Sequence, residues 1–418
     1  MKQIFFHIDV NSAFLSWSAL EKLKNGCTTD LRSIASIIGG DSKIRHGVVL
    51  AKSVPSKIYQ IQTGEPIVNA LRKCPNLIIE PPNMPLYQEQ SFLLMDYLAN
   101  ICPDIEQLSI DECYMYYTPI SSRFSTPYDA ALYIKDSIAK KFGYTVNIGI
   151  SDKKVLAKMA SDFEKPNFVH TLYTKEIQEK IWKLPVSKLY MCGKSSVETL
   201  KNLGIKTIGE LANADLNILQ GHLKSHGKTL WEYANGIDDT TIQVLPNQLK
   251  GIGNSTTLAS DVITKEAAYH TLLLLAESVS SRLRKSNQLC CLVSTEIKYN
   301  TFKSISHQMT LQIPANNCDE IYQCACLLFD EMWNSSPIRL LGIRTSKLVS
   351  NSEPRQLNLF SEAFLLENKK TYDGSTMISR SKLHKLDVAL DEIKEKYGNN
   401  AIVRGSLLPI NKKPPEHL

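Results

Sequence analysis

A mainly apolar run over residues 3–10 opens the chain and predicts a buried β-strand. Apolar residues then recur at helical spacing over residues 13–24, which predicts a helix directly after the strand. Asn11 or Ser12 is a suitable N-cap for this helix. Because a helix start carries free backbone N–H groups, the turn beside Asp9 is expected to attract phosphate.

Helical and strand patterns alternate up to residue 168. They predict helices over 86–102 and 127–142, a hairpin-like pair of strands over 107–118, and a strand over 145–150. A Pro-rich stretch at 81–85 indicates a connection between two subdomains. Such an order of elements favours an α+β fold.

Beyond residue 169 we expect a helical segment, a linker and a second α+β unit. The helical segment carries many lysines and extends to residue 242, and the linker follows at 243–249. Strand and helix patterns alternate again over 250–349, and a polar tail starts at 350. Residues 381–397 of the tail are predicted to form an amphipathic helix, with Leu383, Leu386, Ala389, Leu390 and Ile393 on its apolar side.

The composition is that of a globular protein with several domains. At 418 residues the chain is too long for one ordinary core. The net charge of +6 permits a nucleic-acid partner without establishing one. Ten cysteines without paired CxxC spacing predict reduced, mostly buried thiols and no structural zinc site. Because neither a leader nor a membrane-length apolar stretch is evident, we expect a soluble, cytoplasmic protein.

Two short segments set carboxylates beside strand-like apolar residues. Asp9 lies at the end of the first strand, and Asp111 and Glu112 lie in the predicted hairpin. These carboxylates could hold two Mg²⁺ ions about 3.5–4 Å apart, with the Val10 carbonyl as a further ligand. Alternatively, Asp9 caps the helix, and the other two are solvated hairpin residues. Because successive strand residues point to opposite faces, Asp111 and Glu112 share a site only if the hairpin bends there.

The two segments resemble the signature sequences of the Y-family, or translesion, DNA polymerases, and specifically the bacterial UmuC and DNA polymerase IV branch. The resemblance rests on Ile-Asp-Val-Asn-Ser-Ala-Phe at residues 8–14 and Ser-Ile-Asp-Glu-Cys-Tyr at residues 109–114. Further matches follow in order: Gly149-Ile150-Ser151 with Lys154, Leu156-Ala157-Lys158, and Lys165-Pro166-Asn167. Together the matches extend over residues 3–350.

This resemblance implies a right-handed polymerase fold. The expected domains are the palm (1–13 and 84–168), the fingers (14–83), a helical thumb with a helix-hairpin-helix (169–242), the linker (243–249), a small α+β little finger (250–349) and the tail (350–418). The resemblance further implies that Asp9 and Asp111 bind the metal ions and that Glu112, the third carboxylate, assists the primer 3′-hydroxyl. Phe14 would be the steric gate, a ring that leaves no room for a 2′-hydroxyl; the alternative is a phenylalanine packed in the helix core.

The resemblance also implies which residues bind the incoming deoxynucleoside triphosphate. They are Asn11, Ser12, Ala13, Phe14, Ser53, Lys57 and Lys165. Three positions of the fingers depart from the family pattern: Lys57 stands where arginine is common, Val54 where many members have tyrosine, and Gln60 where glycine is common. Lysine can neutralise a triphosphate, but it cannot form the planar fork of arginine.

Two segments are expected to contact DNA, and a third is expected to contact a protein partner. Residues 191–194 and 200–211 resemble a helix-hairpin-helix, and residues 250–257 resemble the start of a little finger. The expected DNA contacts are Gly193, Lys194, Gly204, Lys206, Lys250, Ser255 and Thr256. In the tail, Gln356, Leu357, Leu359 and Phe360 resemble the peptide that binds the bacterial sliding clamp. The alternative for this peptide is an apolar cluster packed on the little finger.

The leading hypothesis is a template-directed, low-fidelity DNA polymerase for translesion synthesis, with two Mg²⁺ ions as cofactors. Its expected partners are primer-template DNA, deoxynucleoside triphosphates and the sliding clamp, and it is expected to act as a monomer away from membranes. One alternative is a clamp-tethered DNA-binding accessory protein with little synthesis. A weaker alternative is a nucleotide cyclase-like palm enzyme, which the two DNA-binding segments disfavour.

Overall fold

The computed structural model describes residues 3–40, 47–244, 249–352, 380–398 and 401–407. The chain divides into two compact units, which meet in sequence near residue 248. Each unit is described by itself.

The first unit contains eight strands and nine helices within its described residues. The strands are β1 (Phe5–Val10), β2 (Ser36–Gly39), β3 (Val49–Lys52), β4 (Ile78–Glu80), β5 (Ile105–Gln107), β6 (Glu112–Tyr116), β7 (Val146–Ser151) and β8 (Val169–Thr171). The helices are α1 (Ala13–Lys24), α2 (Ile67–Lys73), α3 (Met84–Ile101), α4 (Pro127–Phe142), α5 (Lys154–Ser161), α6 (Ile177–Lys180), α7 (Lys194–Asn202), α8 (Ile208–Ala212) and α9 (Leu216–Ala234). The predicted bounds of α1 and α4 are confirmed, because apolar periodicity marks both helices clearly.

A five-stranded sheet in the order β5-β6-β1-β7-β8 forms the centre of this unit. Strand β1 lies in the middle, antiparallel to both neighbours, and all six of its residues are buried. Phe6 and Ile8 pack in the same core as α3 and α4, whereas Phe5 packs against Ala157 of α5. Because side chains alternate along a strand, His7 and Asp9 lie on the face that carries α5.

The segment expected to form the fingers has a small core of its own, whereas the core of the expected thumb continues onto α5 through Val155 and Leu156. The fingers contain a three-stranded sheet in the order β3-β2-β4, with a 3-10 turn at Pro55–Tyr59 between β3 and β4. In the thumb region, α7 and α8 form the predicted helix-hairpin-helix, with Gly204 at φ +81 in the turn. A reciprocal capping box between Thr207 and Glu210 starts α8.

The second unit is a four-stranded antiparallel sheet with helices packed on it. Its strands are β9 (Gly251–Val262), β10 (Gln288–Tyr299), β11 (Ser304–Ala315) and β12 (Ile338–Ser350), in the order β11-β10-β12-β9, and its helices are α10 (Lys265–Lys285), α11 (Cys318–Met332) and α12 (Arg380–Tyr397). Leu272, Val293 and Phe329 are fully buried in the core that joins α10, α11 and the sheet. This is the expected small α+β domain.

Helix α12 is amphipathic as predicted, but its charged side is the one that packs. Asp387 is 4% exposed, whereas Leu386 is 51% exposed. The Asp387 carboxylate accepts hydrogen bonds from Arg284, Arg404 and the backbone N–H of Cys318. Ion pairs with Arg284 and Arg404 therefore select the acidic side of the helix, and α12 belongs to the second unit beyond the expected boundary at residue 349.

The expectation for the cysteines is confirmed. All ten cysteines are free thiols, and most of them are buried. In the parts of the chain that the structure describes, no helix combines the length and apolarity needed to cross a membrane.

Candidate active site

Asp9 and Glu112 face each other across two neighbouring strands. Asp9 of β1 pairs in register with Glu112, the first residue of β6. One ammonium group lies between the two carboxylates, since Lys158 Nζ is 3.0 Å from Glu112 Oε2 and 3.5 Å from Asp9 Oδ2. A pair of like charges in this position is destabilising without a counter-charge, so the lysine is part of the site.

Asp111 lies in a bend directly before β6, so the bend that sequence analysis required is present. The backbone carbonyl of Asp111 accepts a hydrogen bond from Val10 N at 3.1 Å, which holds the third carboxylate residue beside the end of β1. Its side chain accepts a hydrogen bond from Ser109 Oγ at 2.7 Å. The structure thus brings Asp111 next to the Asp9–Glu112 pair while its carboxylate is bound to Ser109.

Burial and the lysines shape the charges of this site in opposite ways. Burial raises the pKa of Asp9, although the charges of Lys165 and Lys158 act against this rise. Burial also raises the pKa of Glu112, but the hydrogen bond with His7 and the charge of Lys158 outweigh it and lower the pKa to about 2. Glu112 is therefore ionised at neutral pH and holds the ammonium group of Lys158.

His7 lies beneath Glu112 and was missed by sequence analysis. The ring is fully buried, with Nδ1 2.8 Å from Ser161 Oγ and Nε2 3.4 Å from Glu112 Oε2. Burial lowers its pKa, so the ring is neutral at physiological pH. Its position two residues before Asp9 was a usable signal, because residues i and i+2 of a strand share a face.

Lys158 reaches the carboxylates because α5 lies almost directly on the sheet. A Cβ atom on Gly149 of β7 would be 2.0 Å from the carbonyl oxygen of Ala157, so only glycine permits this approach. Every residue of α5 is buried, including Lys158. The sequence signal for Lys158 was a lysine between apolar neighbours, Leu156-Ala157 before it and Met159-Ala160 after it.

Lys165 and Asn11 bind the loop after α5 to the end of β1. Lys165 Nζ lies 3.1 Å from Asp9 Oδ2 and 2.8 Å from Asp162 Oδ1. Asn11 Oδ1 accepts a hydrogen bond from Asn167 N at 2.8 Å, and Asn11 Nδ2 donates to Asn147 Oδ1 at 3.1 Å. The side chain of Asn11 is thus occupied by protein groups, and Lys165 is beside the expected triphosphate position.

The turn beside Asp9 offers fewer free backbone N–H groups to an anion than the sequence suggested. Val10 N and Asn11 N donate to the carbonyls of Asp111 and Thr145. Ser12 occupies the N-cap position at φ +48, but its side chain makes no capping hydrogen bond. The N–H groups at the start of α1, from Ser12 to Phe14, are the ones that can receive phosphate.

The predicted fingers residues differ in accessibility. Ser53 is 1% exposed, and its hydroxyl is hydrogen bonded to Ser56 and to the backbone N–H of Ser36. Lys57 is exposed in the 3-10 turn. Gln60 ends this turn with φ +55, a left-handed conformation that explains why glycine is common at this position.

The predicted DNA contacts of the thumb region are all exposed: Gly193, Lys194, Gly204 and Lys206. In the second unit, Ser255 pairs with Gly342, and Thr256 pairs with the core residue Leu341. Ser255 therefore lies on the sheet face away from the core, and Thr256 lies on the opposite face. The clamp peptide, with Gln356, Leu357, Leu359 and Phe360, lies outside the described residues.

The donor set fits a hard divalent cation. Among the described residues, no three His, Cys, Asp or Glu side chains are assembled as a ligand group. However, the carboxylates of Asp9 and Glu112 already share the ammonium group of Lys158. Asp111 lies next to them, because its carbonyl accepts a hydrogen bond from Val10 N. Carboxylate oxygens are the ligands that Mg²⁺ prefers; for all three to bind it, the Asp111 side chain has to leave Ser109 and Lys158 has to release the Asp9 and Glu112 oxygens.

Comparison with known proteins identifies the family. The impB/mucB/samB family matches residues 8–162, and its C-terminal domain matches residues 249–359. DNA polymerase IV of Clostridium acetobutylicum is 44% identical over 413 residues, which cover 99% of this chain and 100% of the relative. DNA polymerase IV of Alkaliphilus oremlandii is 33% identical over 410 residues, which cover 98% of this chain and 100% of the relative.

A solved structure shows the same fold. A Y-family DNA polymerase chimera of Dbh and Dpo4 superposes with a TM-score of 0.73 at 20% sequence identity, covering 83% of this chain and 100% of its own. The sheet with its carboxylates, the small fingers, the helical thumb and the second α+β unit are thus, each by itself, parts of a known polymerase fold. The chain therefore belongs to the impB/mucB/samB family and, within it, to the DNA polymerase IV group of Y-family DNA polymerases, which carry out translesion synthesis.

Proposed function

We propose that Asp9, Asp111 and Glu112, with the Val10 carbonyl, hold two Mg²⁺ ions in this DNA-directed DNA polymerase. Bound there, magnesium supplies Lewis acidity to the primer 3′-hydroxyl and to the leaving oxygen of the triphosphate. The observation that carries the proposal is the register of Asp9 with Glu112, which sets two carboxylates around one cation position. The reaction is addition of a deoxynucleotide to a primer end, as the template directs.

The chain supplies further positive charge for the triphosphate. Lys165 is within 3.1 Å of Asp9, so its ammonium group is close to any phosphate that the site holds. The N–H groups of Ser12, Ala13 and Phe14 lie at the same end of β1. Because they belong to the start of a helix, they can donate hydrogen bonds to phosphate. Lys57, which is exposed, extends this contact from the fingers in place of the common arginine. Asn11 and Ser53 shape the site through their buried hydrogen bonds.

Primer-template DNA is proposed to bind through backbone contacts. Gly193 and Gly204 leave the backbone accessible at the start of α7 and in the following turn, and Lys194 and Lys206 are exposed beside them. Contacts of this kind bind phosphates without reading sequence. In the second unit, Lys250 and Ser255 are exposed and suit the same role, whereas Thr256 acts only through its backbone.

We further propose that Gln356, Leu357, Leu359 and Phe360 bind the sliding clamp, and that the protein works as a cytoplasmic monomer during the response to DNA damage. The peptide carries three large apolar side chains in a polar stretch of chain, and such residues are the usual anchors of a docking peptide. The accessory-protein alternative rested on the altered fingers, and full-length similarity to DNA polymerases does not favour it.

Primer extension tests the proposed roles. The full-length protein with Mg²⁺, a primed template and the four deoxynucleotides should extend the primer. Asp111→Ala should abolish extension, because it removes one of three metal-binding carboxylates. Asp96→Ala changes an exposed aspartate on α3 and is the matched control, which should extend like the wild type. Equal extension by the wild type and Asp111→Ala would show that the assigned carboxylates do not carry the reaction.

A further inference from the structure

The carboxylates of Asp9 and Glu112 repel each other, and bound metal ions alone do not remove this repulsion. Both residues lie on inner strands of the sheet and are largely shielded from solvent, since Asp9 is 7% exposed and the Glu112 side chain is 25% exposed. Like charges directly opposite each other destabilise a pair of strands. A polymerase also has to fold and persist before a nucleotide brings its metal ions. The chain therefore needs an internal cation at this position.

Lys158 meets this need in a way that Lys165 does not. Its side chain is 11% exposed, and its ammonium group contacts both Glu112 and Asp9. Lys165 is more exposed, at 30%, and pairs with Asp9 and Asp162. Within the described part of the chain, Lys158 is thus the cation that bridges the two opposed carboxylates.

A bridging ammonium group and a divalent cation require the same oxygen atoms. The carboxylates of Asp9 and Glu112 offer a limited number of lone pairs, and Lys158 occupies some of them. A doubly charged ion gains more from these oxygens than an ammonium group does, so it can displace the lysine. Displacement still has a cost, because the broken ion pairs are largely buried.

We propose that Lys158 is a built-in exchangeable cation, which holds Asp9 and Glu112 together in the metal-free protein and competes with divalent ions for their oxygens. Lys158 is thus a positioning residue that stabilises the empty site and weakens metal binding until the substrate contributes its own phosphate ligands. The inference rests on the proposed metal-binding role of the carboxylates. It differs from a purely structural ion pair, which would leave metal affinity unchanged.

Metal binding to the free protein tests this competition without using polymerase activity. Mn²⁺ is added to the full-length protein, without DNA or nucleotide, and bound ion is measured by electron paramagnetic resonance. Lys158→Met should bind Mn²⁺ at least about fivefold more tightly than the wild type, the lower end of ordinary coupling between two ligands. Lys158→Arg retains a cation and should bind no more tightly than the wild type. Lys158→Gln is a second neutral variant and should repeat the tighter binding.

The matched control is Lys154→Met, on the same helix. Lys154 is also buried, at 7% exposed, but its ammonium group pairs with Glu106 at 2.6 Å. Its loss should lower thermal stability without changing Mn²⁺ affinity. In the absence of divalent ions Lys158→Met should also melt below the wild type, and saturating Mn²⁺ should narrow that difference in melting temperature.

Unchanged or weaker Mn²⁺ binding in both neutral Lys158 variants would overturn the proposal. Tighter binding in Lys154→Met as well would also overturn it, because the effect would then reflect general loosening of α5. The proposed polymerase mechanism is judged separately, by primer extension with Asp111→Ala. A wild-type protein that extends primers while its Lys158 variants bind Mn²⁺ normally would refute the exchangeable cation alone.

Discussion

The ring of Phe14 lies parallel to the ring of Tyr87, with 7° between the planes and 4.4 Å between the centroids. Tyr87 is fully buried, and its hydroxyl group is hydrogen bonded to Ser18 at 2.7 Å. The Phe14 ring is therefore backed by a rigid partner that is itself anchored to α1. The family resemblance implies that Phe14 is a steric gate. Such a ring excludes a 2′-hydroxyl only if it cannot move away, and this stack restricts such movement.

Replacing Phe14 with alanine should raise the use of ribonucleotides. We expect the ratio of kcat/KM for a ribonucleotide over the matching deoxynucleotide to rise about tenfold or more, equivalent to roughly 1.4 kcal/mol of lost steric exclusion. Tyr87→Leu should raise the ratio by a smaller factor, because the gate loses its backing. Phe92→Ala alters an exposed ring on α3 and serves as the control. An unchanged ratio in Phe14→Ala would refute the gate.

Gln60 should resist substitution by a β-branched residue. Its left-handed backbone, at φ +55, costs any residue with a Cβ about 1–2 kcal/mol, which glutamine already bears, and it disfavours a branched Cβ further. Gln60→Val should therefore reduce the free energy of unfolding, whereas Gln60→Gly should not reduce it. Urea denaturation gives the comparison, with Gln62→Val as an exposed control nearby. Equal losses from both valine substitutions would contradict the backbone explanation.

The ionic contacts of α12 should stabilise the second unit. Asp387→Ala removes a carboxylate that Arg284 and Arg404 share. Both arginines keep other carboxylate partners, so the loss is about 1–3 kcal/mol, mainly from the buried N–H of Cys318 left without its acceptor. Hydrogen exchange should accelerate in α12 and in the neighbouring part of α10. Glu392→Ala changes an exposed acid on the same helix and should leave exchange unchanged. Slow exchange in Asp387→Ala would mean that the apolar residues of α12 hold the helix in place.

The clamp peptide should lose its partner when its two large anchors are removed. Replacing Leu359 and Phe360 with alanine should weaken binding to a bacterial sliding clamp by about 30-fold or more, since anchor residues typically contribute at least roughly 2 kcal/mol. Surface plasmon resonance with immobilised clamp measures this change. Leu327→Ala, an exposed apolar residue of α11, is the control. Undiminished affinity in the double variant would exclude this peptide as the clamp contact.

Several site features could be read from local pattern, and others could not. The acidic segments and the helix after β1 depend on short sequence stretches, so their positions were predicted correctly. The bend at Asp111 was stated only as a condition, because strand alternation cannot say where a hairpin turns. The roles of His7 and Lys158 were missed, since each depends on how β1, β6 and α5 pack.

The sequence by itself determined the order of helices and strands, the three carboxylates and the family, because periodicity and short motifs are local properties of the chain. Only the tertiary structure decided which cation neutralises which carboxylate and which side of α12 packs. Lys158 contacts Asp9 because Gly149 lets α5 approach the sheet closely. Asp387 is buried because it forms ion pairs with Arg284 and Arg404. Such choices depend on contacts between distant segments, which hydrophobic patterning does not encode.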